Sequence, residues 1–249
     1  LEFRRVLFRS KTEFLQRMSH DIRTPINGIC GLVDMADHYA DDMEKQTEYR
    51  TKIKEASNLL LELVNDVLDM SKLESGEIIL EEIPFNLRSI SREVFVVIEQ
   101  VAAEQNIRIM WEKKEIIHRN LIGSPGYVKR VMMNILSNAV KYNRENGQIY
   151  ISCMEIPSEQ PEMTTMEFVC RDTGIGMTAE FQKCVFEPFA QEHTGSRTKF
   201  PGTGLGMAIA KNLVEKMGGT ITFESEVGVG TTFMIRVPFK IDLDRKSVV

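Results

Sequence analysis

Hydrophobic residues in the N-terminal part of the chain recur at alternating intervals of three and four positions. One series is Leu15, Met18, Ile22, Pro25, Ile29, Leu32 and Ala36, and a second is Tyr49, Ile53, Ala56, Leu60, Leu63, Val67 and Met70. This spacing predicts an apolar seam along each of two helices. The polar residues 37–46 between them predict a tight connection, and therefore an antiparallel hairpin. One hairpin cannot bury both seams well, so we expect a dimeric four-helix bundle, with an intramolecular helical subdomain as the alternative.

After position 75 the helical period gives way to shorter apolar runs that are broken by glycine, proline and polar residues. Strands are predicted at 77–83, 107–111, 148–156, 166–171, 220–225 and 231–239, and helices at 84–105, within 123–141 and at 205–217. The strands and helices do not alternate strictly. We therefore predict an α+β protein in which the hairpin covers residues 11–75 and a sandwich of sheet and helices covers residues 76–240.

Composition narrows the range of partners. The chain has 31 Lys and Arg against 36 Asp and Glu, a net charge of -5 without a basic face, which gives no support to nucleic-acid binding. The four cysteines are widely spaced, as expected of reduced core residues rather than of disulfide bridges or metal ligands. No apolar run is long enough to span a membrane, so we expect a cytoplasmic fragment without membrane contact, whose parent protein could be anchored in the inner membrane.

Both ends of the chain look foreign to the protein. Residues 2–10 (EFRRVLFRS) and 244–249 (DRKSVV) can each be written as the translation of an adapter used in DNA sequencing. We therefore expect residues 1–10 and 244–249 to be artefacts and residues 11–243 to be the natural segment. The chain is then a fragment of a longer protein.

His20 is the first candidate for chemistry. With Leu15 as position a of the heptad, His20 falls at position f, turned away from the seam and available to an incoming domain. Asp21 could hydrogen-bond one ring nitrogen and leave the other free to attack. Pro25 should kink the helix, because it lacks an N–H group. Taken alone, His20 would also fit a solvated surface residue.

Two asparagines form the second candidate site. Asn134 and Asn138 lie four residues apart on one helix face, so both can reach a single ligand. An amide oxygen is a suitable ligand for a magnesium ion that bridges phosphates. Lys141 can approach a phosphate and Tyr142 can cover an adenine ring. The alternative is that the asparagines are ordinary polar residues on a helix surface.

An acidic residue and two glycine-rich strings complete the set. Asp172 follows an apolar strand and could accept a hydrogen bond from an adenine amino group, while Gly174 and Gly176 let the backbone approach a nucleotide. The second string, at the start of the helix predicted at 205–217, is Gly202, Thr203, Gly204, Leu205 and Gly206. Its backbone N–H groups can hold a triphosphate. Each string alone is equally compatible with an ordinary turn.

The order and spacing of these motifs resemble one family. Residues 14–29 (FLQRMSHDIRTPINGI) resemble the phosphoacceptor box of sensor histidine kinases, and residues 134–142 resemble their asparagine box, which also occurs in gyrase B, MutL and heat-shock chaperones. Residues 186–189 (FEPF) look like the aromatic box at the root of an ATP lid, with Phe186 and Phe189 as its rings. The resemblance runs from about residue 11 to residue 239. The family that the chain resembles includes hybrid kinases.

The resemblance implies roles for individual residues. His20 would be phosphorylated with Asp21 as its acid/base partner, and Thr24 would position water for dephosphorylating a partner. Arg197, within a lid at 191–201, would contact phosphate. The sandwich would have the Bergerat fold and bind ATP with magnesium, for which Asn138 is the ligand. The expected partners are a second copy of the chain and the receiver domain of a response regulator, whose aspartate takes the phosphoryl group.

Two other functions are compatible with the same motifs. The first is an ATPase of the gyrase type, but such enzymes carry a Glu four residues before the magnesium-binding Asn, and here Asn134 cannot take a proton from water. The second is a catalytically silent dimeric module that senses nucleotide. The sequence also departs from the family at Ser124, where Asp is frequent, and at Pro201, where Gly is more usual.

Overall fold

The computed structural model describes residues 2–77, 79–192 and 203–244, without the side chains of residues 2–17, 20, 21, 62, 74 and 113. The chain divides into two compact units, Leu1–Ser71 and Lys72–Val249. The first is a helical hairpin, and the second is a sandwich of one sheet and its helices. Within the described residues, no helix is long and apolar enough to cross a membrane.

The hairpin consists of α1 (Glu2–His38) and α2 (Met43–Ser75). The antiparallel hairpin predicted from the seams is confirmed, with a connection of residues 39–42 that is shorter than expected. Asp42 explains the early start of α2, because its carboxylate accepts a hydrogen bond from the Lys45 amide at 3.1 Å and so caps the helix. Residues 2–10, expected to be foreign, continue α1 at its N-terminus, and Pro25 lies inside α1.

Side-chain exposure follows the predicted seams closely. Among the described seam residues, Met18, Pro25, Leu63 and Met70 are buried and the others are half-buried, while most positions between them are exposed. A second apolar set remains in solvent. This exposed stripe consists of Ile26 and Val33 on α1 and of Leu61, Val64 and Leu68 on α2, with exposed fractions of 38–61%. The seams are therefore largely covered within one hairpin, and the exposed stripe is the apolar surface left over.

The sandwich contains a seven-stranded sheet. Its strands are β1 (Ile83–Asn86), β2 (Arg108–Lys113), β3 (Asn120–Gly123), β4 (Gln148–Pro157), β5 (Met163–Asp172), β6 (Thr220–Glu226) and β7 (Gly230–Ile241). The order is β1-β3-β7-β5-β4-β2, and β6 pairs with β7 beside β3. β2 and β4 are parallel, and the other pairs are antiparallel. The long pairing of β5 with β7, from Met163↔Lys240 to Arg171↔Thr232, forms the centre of the sheet.

Helices cover one face of this sheet. They are α3 (Leu87–Glu104), α4 (Pro125–Lys141), the short α5 (Ala179–Gln182) and α6 (Gly206–Lys216). α4 packs between α3 and α6 and against β5. The core between the layers contains fully buried side chains such as Ile135 of α4, Ile149 of β4 and Ile209 of α6. Each such side chain contributes about 2 kcal/mol by leaving water. The predicted α+β class is confirmed.

Three local predictions were wrong. Of the strand predicted at 77–83, residues 77 and 79–82 are not in a strand, since β1 begins only at Ile83 and includes Pro84. The following helix begins at Leu87 because the Asn86 side chain caps it, accepting from the Ser89 amide at 3.2 Å. β3 and α5 were not predicted, because elements of four residues are too short to show a period.

Candidate functional site

Asp172 lies at the end of β5, in the middle of the sheet, and is only 7% exposed. Its Oδ1 accepts hydrogen bonds from the backbone amides of Gly174, at 2.8 Å, and of Thr231, at 3.2 Å. Among the described residues, Oδ2 has no hydrogen-bond partner. Burial raises the pKa of the Asp172 carboxyl, and the two backbone hydrogen bonds oppose this shift. The carboxylate is thus held rigidly by one oxygen and can offer the other to a ligand's amino group.

Gly174 and Gly176 are needed for contacts within the protein itself. A Cβ atom at Gly174 would overlap the carbonyl oxygen of Tyr142, and one at Gly176 would overlap that of Glu226. Gly176 also has a φ of 67°, in the left-handed region. The sequence interpretation, in which the glycines admit a nucleotide, therefore gives only part of their role. They also let the loop after β5 lie directly against the end of α4 and the end of β6.

The asparagine box occupies α4 and faces this loop. The Tyr142 carbonyl accepts the Ile175 amide at 3.0 Å, which joins the end of α4 to the Asp172 loop. Asn138, one turn earlier, is half-buried, and its side chain makes no hydrogen bond within the described part of the chain. The Lys141 ammonium lies 4.8 Å from the centroid of the Tyr142 ring. Asn138 and Lys141 thus lie on the part of α4 that is held next to Asp172.

Asn134 is bonded to the protein rather than left for a ligand. Its Nδ2 donates to the carbonyl oxygen of Gly206, at 2.9 Å. This bond ties α4 to the first residue of α6. The asparagine box therefore touches the second glycine-rich string as well as the Asp172 loop.

The second glycine-rich string and the aromatic box meet at the start of α6. The Phe189 amide donates to the Gly204 carbonyl at 3.0 Å, and both residues have left-handed φ values, 65° and 69°. The Thr203 hydroxyl accepts from the Leu205 amide at 3.1 Å. Leu205 precedes α6 and gives it no side-chain cap, so the N–H groups of its first turn are available to an anion. The Phe186 ring packs edge-on against Phe223 of β6, with centroids 5.6 Å apart.

Several candidate residues fall outside this description. Gly202, Arg197 and Pro201 lie outside the described residues, as do the side chains of His20 and Asp21, whose backbone belongs to α1. Thr24 is exposed on α1, about one turn after His20. Of the four cysteines only Cys170 is buried and Cys30 is exposed, so the prediction that all four lie in the core was wrong. Burial raises the pKa of the Cys153 thiol to about 12, which makes it a poor nucleophile.

Sequence reasoning missed a buried polar network beside the site. Asn143 is buried; its Nδ2 donates to the Gln148 carbonyl at 3.3 Å, and its Oδ1 accepts from the Arg144 amide at 3.0 Å. The Thr173 hydroxyl accepts from the Gln148 amide at 2.9 Å and donates to Asn143 Oδ1 at 3.5 Å. These bonds fix the residue after the asparagine box to the residue after Asp172. The sequence signal for this network was a polar residue directly after each motif, Asn143 after the asparagine box and Thr173 after Asp172.

Both units match known families. Residues 10–76 match the His Kinase A (phospho-acceptor) domain, and residues 123–241 match the Histidine kinase-, DNA gyrase B-, and HSP90-like ATPase. The hairpin is thus a phosphoacceptor domain, and the sandwich is an ATP-binding domain of the histidine kinase and gyrase class. The chain belongs to the sensor histidine kinases, a family of transferases, as the sequence motifs predicted.

Relatives of known function cover nearly the whole chain. The chain is 37% identical over 236 residues to the signal transduction histidine-protein kinase BarA of Escherichia coli. The matched region is 95% of this chain and 25% of BarA. It is 34% identical over 231 residues to the sensor histidine kinase GacS of Pseudomonas protegens, covering 91% of the chain and 24% of GacS. The chain therefore spans about a quarter of the length of these relatives.

Solved structures of histidine kinases resemble the chain in fold. Full-length ShkA in complex with AMPPNP has a TM-score of 0.65 at 27% identity, over 92% of this chain and 46% of ShkA. ThkA in complex with the response regulator TrrA has a TM-score of 0.63 at 25% identity, over 94% of this chain and 64% of that one.

Proposed function

We propose that this chain is an autophosphorylating protein histidine kinase, which binds magnesium-ATP in the sandwich and transfers the γ-phosphoryl group to His20 in the hairpin. The observation that supports this most directly is the junction of three motifs that are far apart in sequence. The Ile175–Tyr142 bond joins the Asp172 loop to α4, and the Asn134–Gly206 bond joins α4 to α6. Groups suited to adenine, metal and phosphates are thus held around one site.

The residues at this junction fit ATP. Asp172 Oδ2 would accept the adenine amino group, because Oδ1 is already occupied by backbone amides. The uncapped start of α6 would bind phosphate oxygens through its N–H groups, with Lys141 and Arg197 adding positive charge. Asn138 would ligate magnesium through its amide oxygen. Bound magnesium supplies charge neutralisation at the β- and γ-phosphates.

In the proposed reaction, a ring nitrogen of His20 bonds to the γ-phosphorus while the bond between phosphorus and the ADP oxygen breaks. Asp21 would hold the other ring nitrogen and take up its proton. Phosphoryl transfer depends mainly on alignment and charge neutralisation, so the two domains must dock for the reaction to occur.

Hydrolysis is the competing reaction, and Asn134 weighs against it. An amide cannot act as a general base, and the Asn134 Nδ2 group is bonded to the Gly206 carbonyl. Water at this site would lack the proton acceptor that the ATPases of the superfamily have, whereas His20 offers a nucleophile in the same chain.

We further propose that the chain acts as a homodimer and passes its phosphoryl group to a response-regulator receiver domain in the cytoplasm. The exposed stripe supports the dimer, since its five apolar side chains on one hairpin would be covered by a second hairpin in a four-helix bundle. The neighbour ThkA has been solved with a response regulator, which supports the second partner. Exposed Thr24 would allow the kinase to assist dephosphorylation of that partner as well.

Incubation with ATP labelled at the γ-phosphate tests the proposal. The protein should become labelled, and the label should be stable in base and lost in mild acid, as expected for a phosphorus–nitrogen bond. His20→Gln should remove the label and leave ATP affinity unchanged, because the nucleotide residues lie in the other domain. If His20→Gln takes up acid-labile phosphate at the original rate, His20 is not the acceptor. If the unmutated chain binds ATP but never becomes labelled, the silent nucleotide-sensing module is the better description.

A further inference from the structure

Ser124 is the residue immediately before α4, and it is 3% exposed. A serine at this position normally caps its helix, yet Ser124 makes no capping hydrogen bond with α4. Its hydroxyl is instead bonded twice to the backbone of Glu81. The Glu81 amide donates to Ser124 Oγ at 2.7 Å, and Ser124 Oγ donates to the Glu81 carbonyl at 2.9 Å. One buried hydroxyl thus satisfies both backbone groups of a residue that lies 43 positions earlier.

Glu81 belongs to the linker, residues 79–82, which forms the last part of the connection between the end of α2 at Ser75 and the start of β1 at Ile83. β1 pairs with β3 as far as Ile83↔Gly123, and there the ladder ends. Pro125 follows Ser124 and has no N–H group with which the pairing could continue. The Ser124 hydroxyl takes over the role of a backbone partner beyond this point, so that the linker stays attached to the start of α4.

Two weaker contacts hold the same segment. The Tyr127 hydroxyl, in the first turn of α4, donates to the Ile79 carbonyl at 3.4 Å. The Lys240 ammonium lies 3.0 Å from the Glu82 carboxylate. Both contacts are exposed to solvent, and an exposed ion pair contributes little to stability in water. The buried Ser124 bonds are therefore the principal attachment of the linker.

The identity of the side chain matters for this attachment. In the family that the sequence resembles, aspartate is frequent at the position of Ser124. An ionised carboxylate could accept the Glu81 N–H, but it has no proton to donate to the Glu81 carbonyl, and two acceptors would face each other. A hydroxyl can donate and accept at once. The two-way bond requires a side chain that can both donate and accept, which a serine hydroxyl does and an ionised carboxylate does not.

We infer that Ser124 is a positioning residue for phosphoryl transfer, an inference that rests on the proposed function. Its hydroxyl fixes the linker from the His20 hairpin to the first turn of α4, the helix that carries Asn138. The free tether between the two domains then ends before Glu81 instead of at β1. A shorter and better oriented tether raises the effective concentration of His20 at the γ-phosphate, without any contact to the nucleotide.

The test compares Ser124→Ala and Ser124→Thr in the full chain, with Ser91→Ala as the matched control. Ser91 donates its hydroxyl to the Leu87 carbonyl within α3, so its loss removes a similar bond away from the linker. Three quantities are measured: the affinity for a fluorescent ATP analogue, the single-turnover rate of labelling, and hydrogen exchange at the Glu81 amide. Ser124→Ala should increase Glu81 exchange and slow labelling roughly tenfold, about 1.4 kcal/mol in activation free energy. Its nucleotide affinity should stay within about twofold of the unmutated value, which is far less than the tenfold that each 1.4 kcal/mol represents.

Ser124→Thr should restore both exchange and rate, and Ser91→Ala should change neither. A second variant reaches the same bond from the other side: Glu81→Pro removes the donor amide, and Glu81→Ala retains it, so only the proline variant should slow labelling. The inference is overturned if Ser124→Ala exposes the Glu81 amide but labels at the normal rate. It is also overturned if nucleotide affinity falls in parallel with the rate, which would mean a merely structural role. If the unmutated chain does not label at all, the proposed function fails instead, while the exchange data still report on the linker.

Discussion

The hairpin and the sandwich solve the problem of burying apolar surface in different ways. The sandwich places a sheet against a layer of helices, and side chains from both layers, such as Ile135 and Ile149, are completely buried. The hairpin has only one contact surface, and it leaves the exposed stripe in solvent. A two-layer unit has an interior of its own, whereas two helices do not. The sandwich therefore has a core of its own, whereas the hairpin leaves apolar surface that the proposed second copy of the chain would cover.

The chemistry is divided along the same boundary. The proposed nucleotide-binding residues lie on the unit with the rigid core, where hydrogen bonds can hold Asp172 and Asn134 in fixed positions. The proposed acceptor, His20, lies on a helix of the other unit. A substitution that disables one unit should therefore leave the activity of the other unit measurable.

The largest effect is expected from Asn138→Ala. Loss of the proposed magnesium ligand should reduce labelling roughly a hundredfold or more, the scale for removing one group that stabilises charge in a transition state. Ser137→Ala, a change to the exposed neighbour on the same helix, is the control and should label normally. In heterodimers with His20→Gln, label on the Asn138→Ala chain would show an intact acceptor and transfer between protomers. Normal labelling by Asn138→Ala alone would contradict the assignment.

The next effect concerns association of the hairpins. Changing Val64 and Leu68 of the exposed stripe to Asp should convert a dimer to a monomer, because burying unpaired charge costs several kcal/mol. Light scattering should show the halved mass, while ATP affinity should remain that of the unmutated protein. Leu63→Asp is the informative comparison, since Leu63 is buried within the hairpin and its change should lower helix content too. An unchanged mass for the stripe variant would refute the assignment of this surface.

Much of the difference between the hairpin and the sandwich could be predicted from the sequence, because the helical period and the motifs are local features of the chain. The helical period predicted the hairpin, and the motifs picked out the segments that the fold joins through the Ile175–Tyr142 and Asn134–Gly206 hydrogen bonds. The missed features depend on partners distant in the chain. β1 is a strand only because it pairs with β3, β3 lies between β1 and β7, and Asn143 is significant only because Thr173 and Gln148 lie beside it. The exposed stripe was likewise hidden, since sequence period does not say which apolar face a single hairpin covers.

A smaller effect is expected at the adenine end of the site. In Asp172→Asn, the amide oxygen should keep the two backbone hydrogen bonds, which turns the amide nitrogen, a donor, toward the adenine amino group. ATP affinity should fall roughly tenfold or more, the cost of an unmatched buried donor. Because burial raises the pKa of Asp172, affinity of the unmutated protein should decrease as the pH falls through that raised value. Calorimetry over pH should show this decrease in the unmutated protein and not in the variant.

The smallest effect concerns Glu155 of β4, which belongs to none of the motifs of the candidate site. Its carboxylate accepts from the amides of Ile117 and His118, at 2.7 and 2.8 Å, and from the Thr164 hydroxyl at 2.8 Å. His118 Nδ1 lies 2.6 Å from the same carboxylate. Burial acts to raise the pKa of Glu155, but the hydrogen bonds outweigh it and the pKa is lowered.

A lowered pKa stabilises the fold above the ordinary carboxyl pKa, and this contribution disappears as the pH falls through the lowered value. Glu155→Gln should therefore reduce Tm at neutral pH by a few degrees, about 1 kcal/mol. The difference between the two proteins should shrink in acid. A difference that is constant with pH would exclude titration of Glu155 as its source.

The hydrogen bond between Phe189 and Gly204 has a consequence for how this protein tolerates change. It closes the chain on itself at the root of residues 190–203, and both closing residues adopt left-handed backbone conformations that fix the direction of entry and exit. A segment whose ends are joined in this way can vary in length at small cost, since doubling a loop costs only about 0.6 kcal/mol of closure entropy. Insertions there need not disturb the register of any strand. The segment between Phe189 and Gly204 is thus the place where evolution, or an engineer adding a reporter, can lengthen this chain while the core remains as it is.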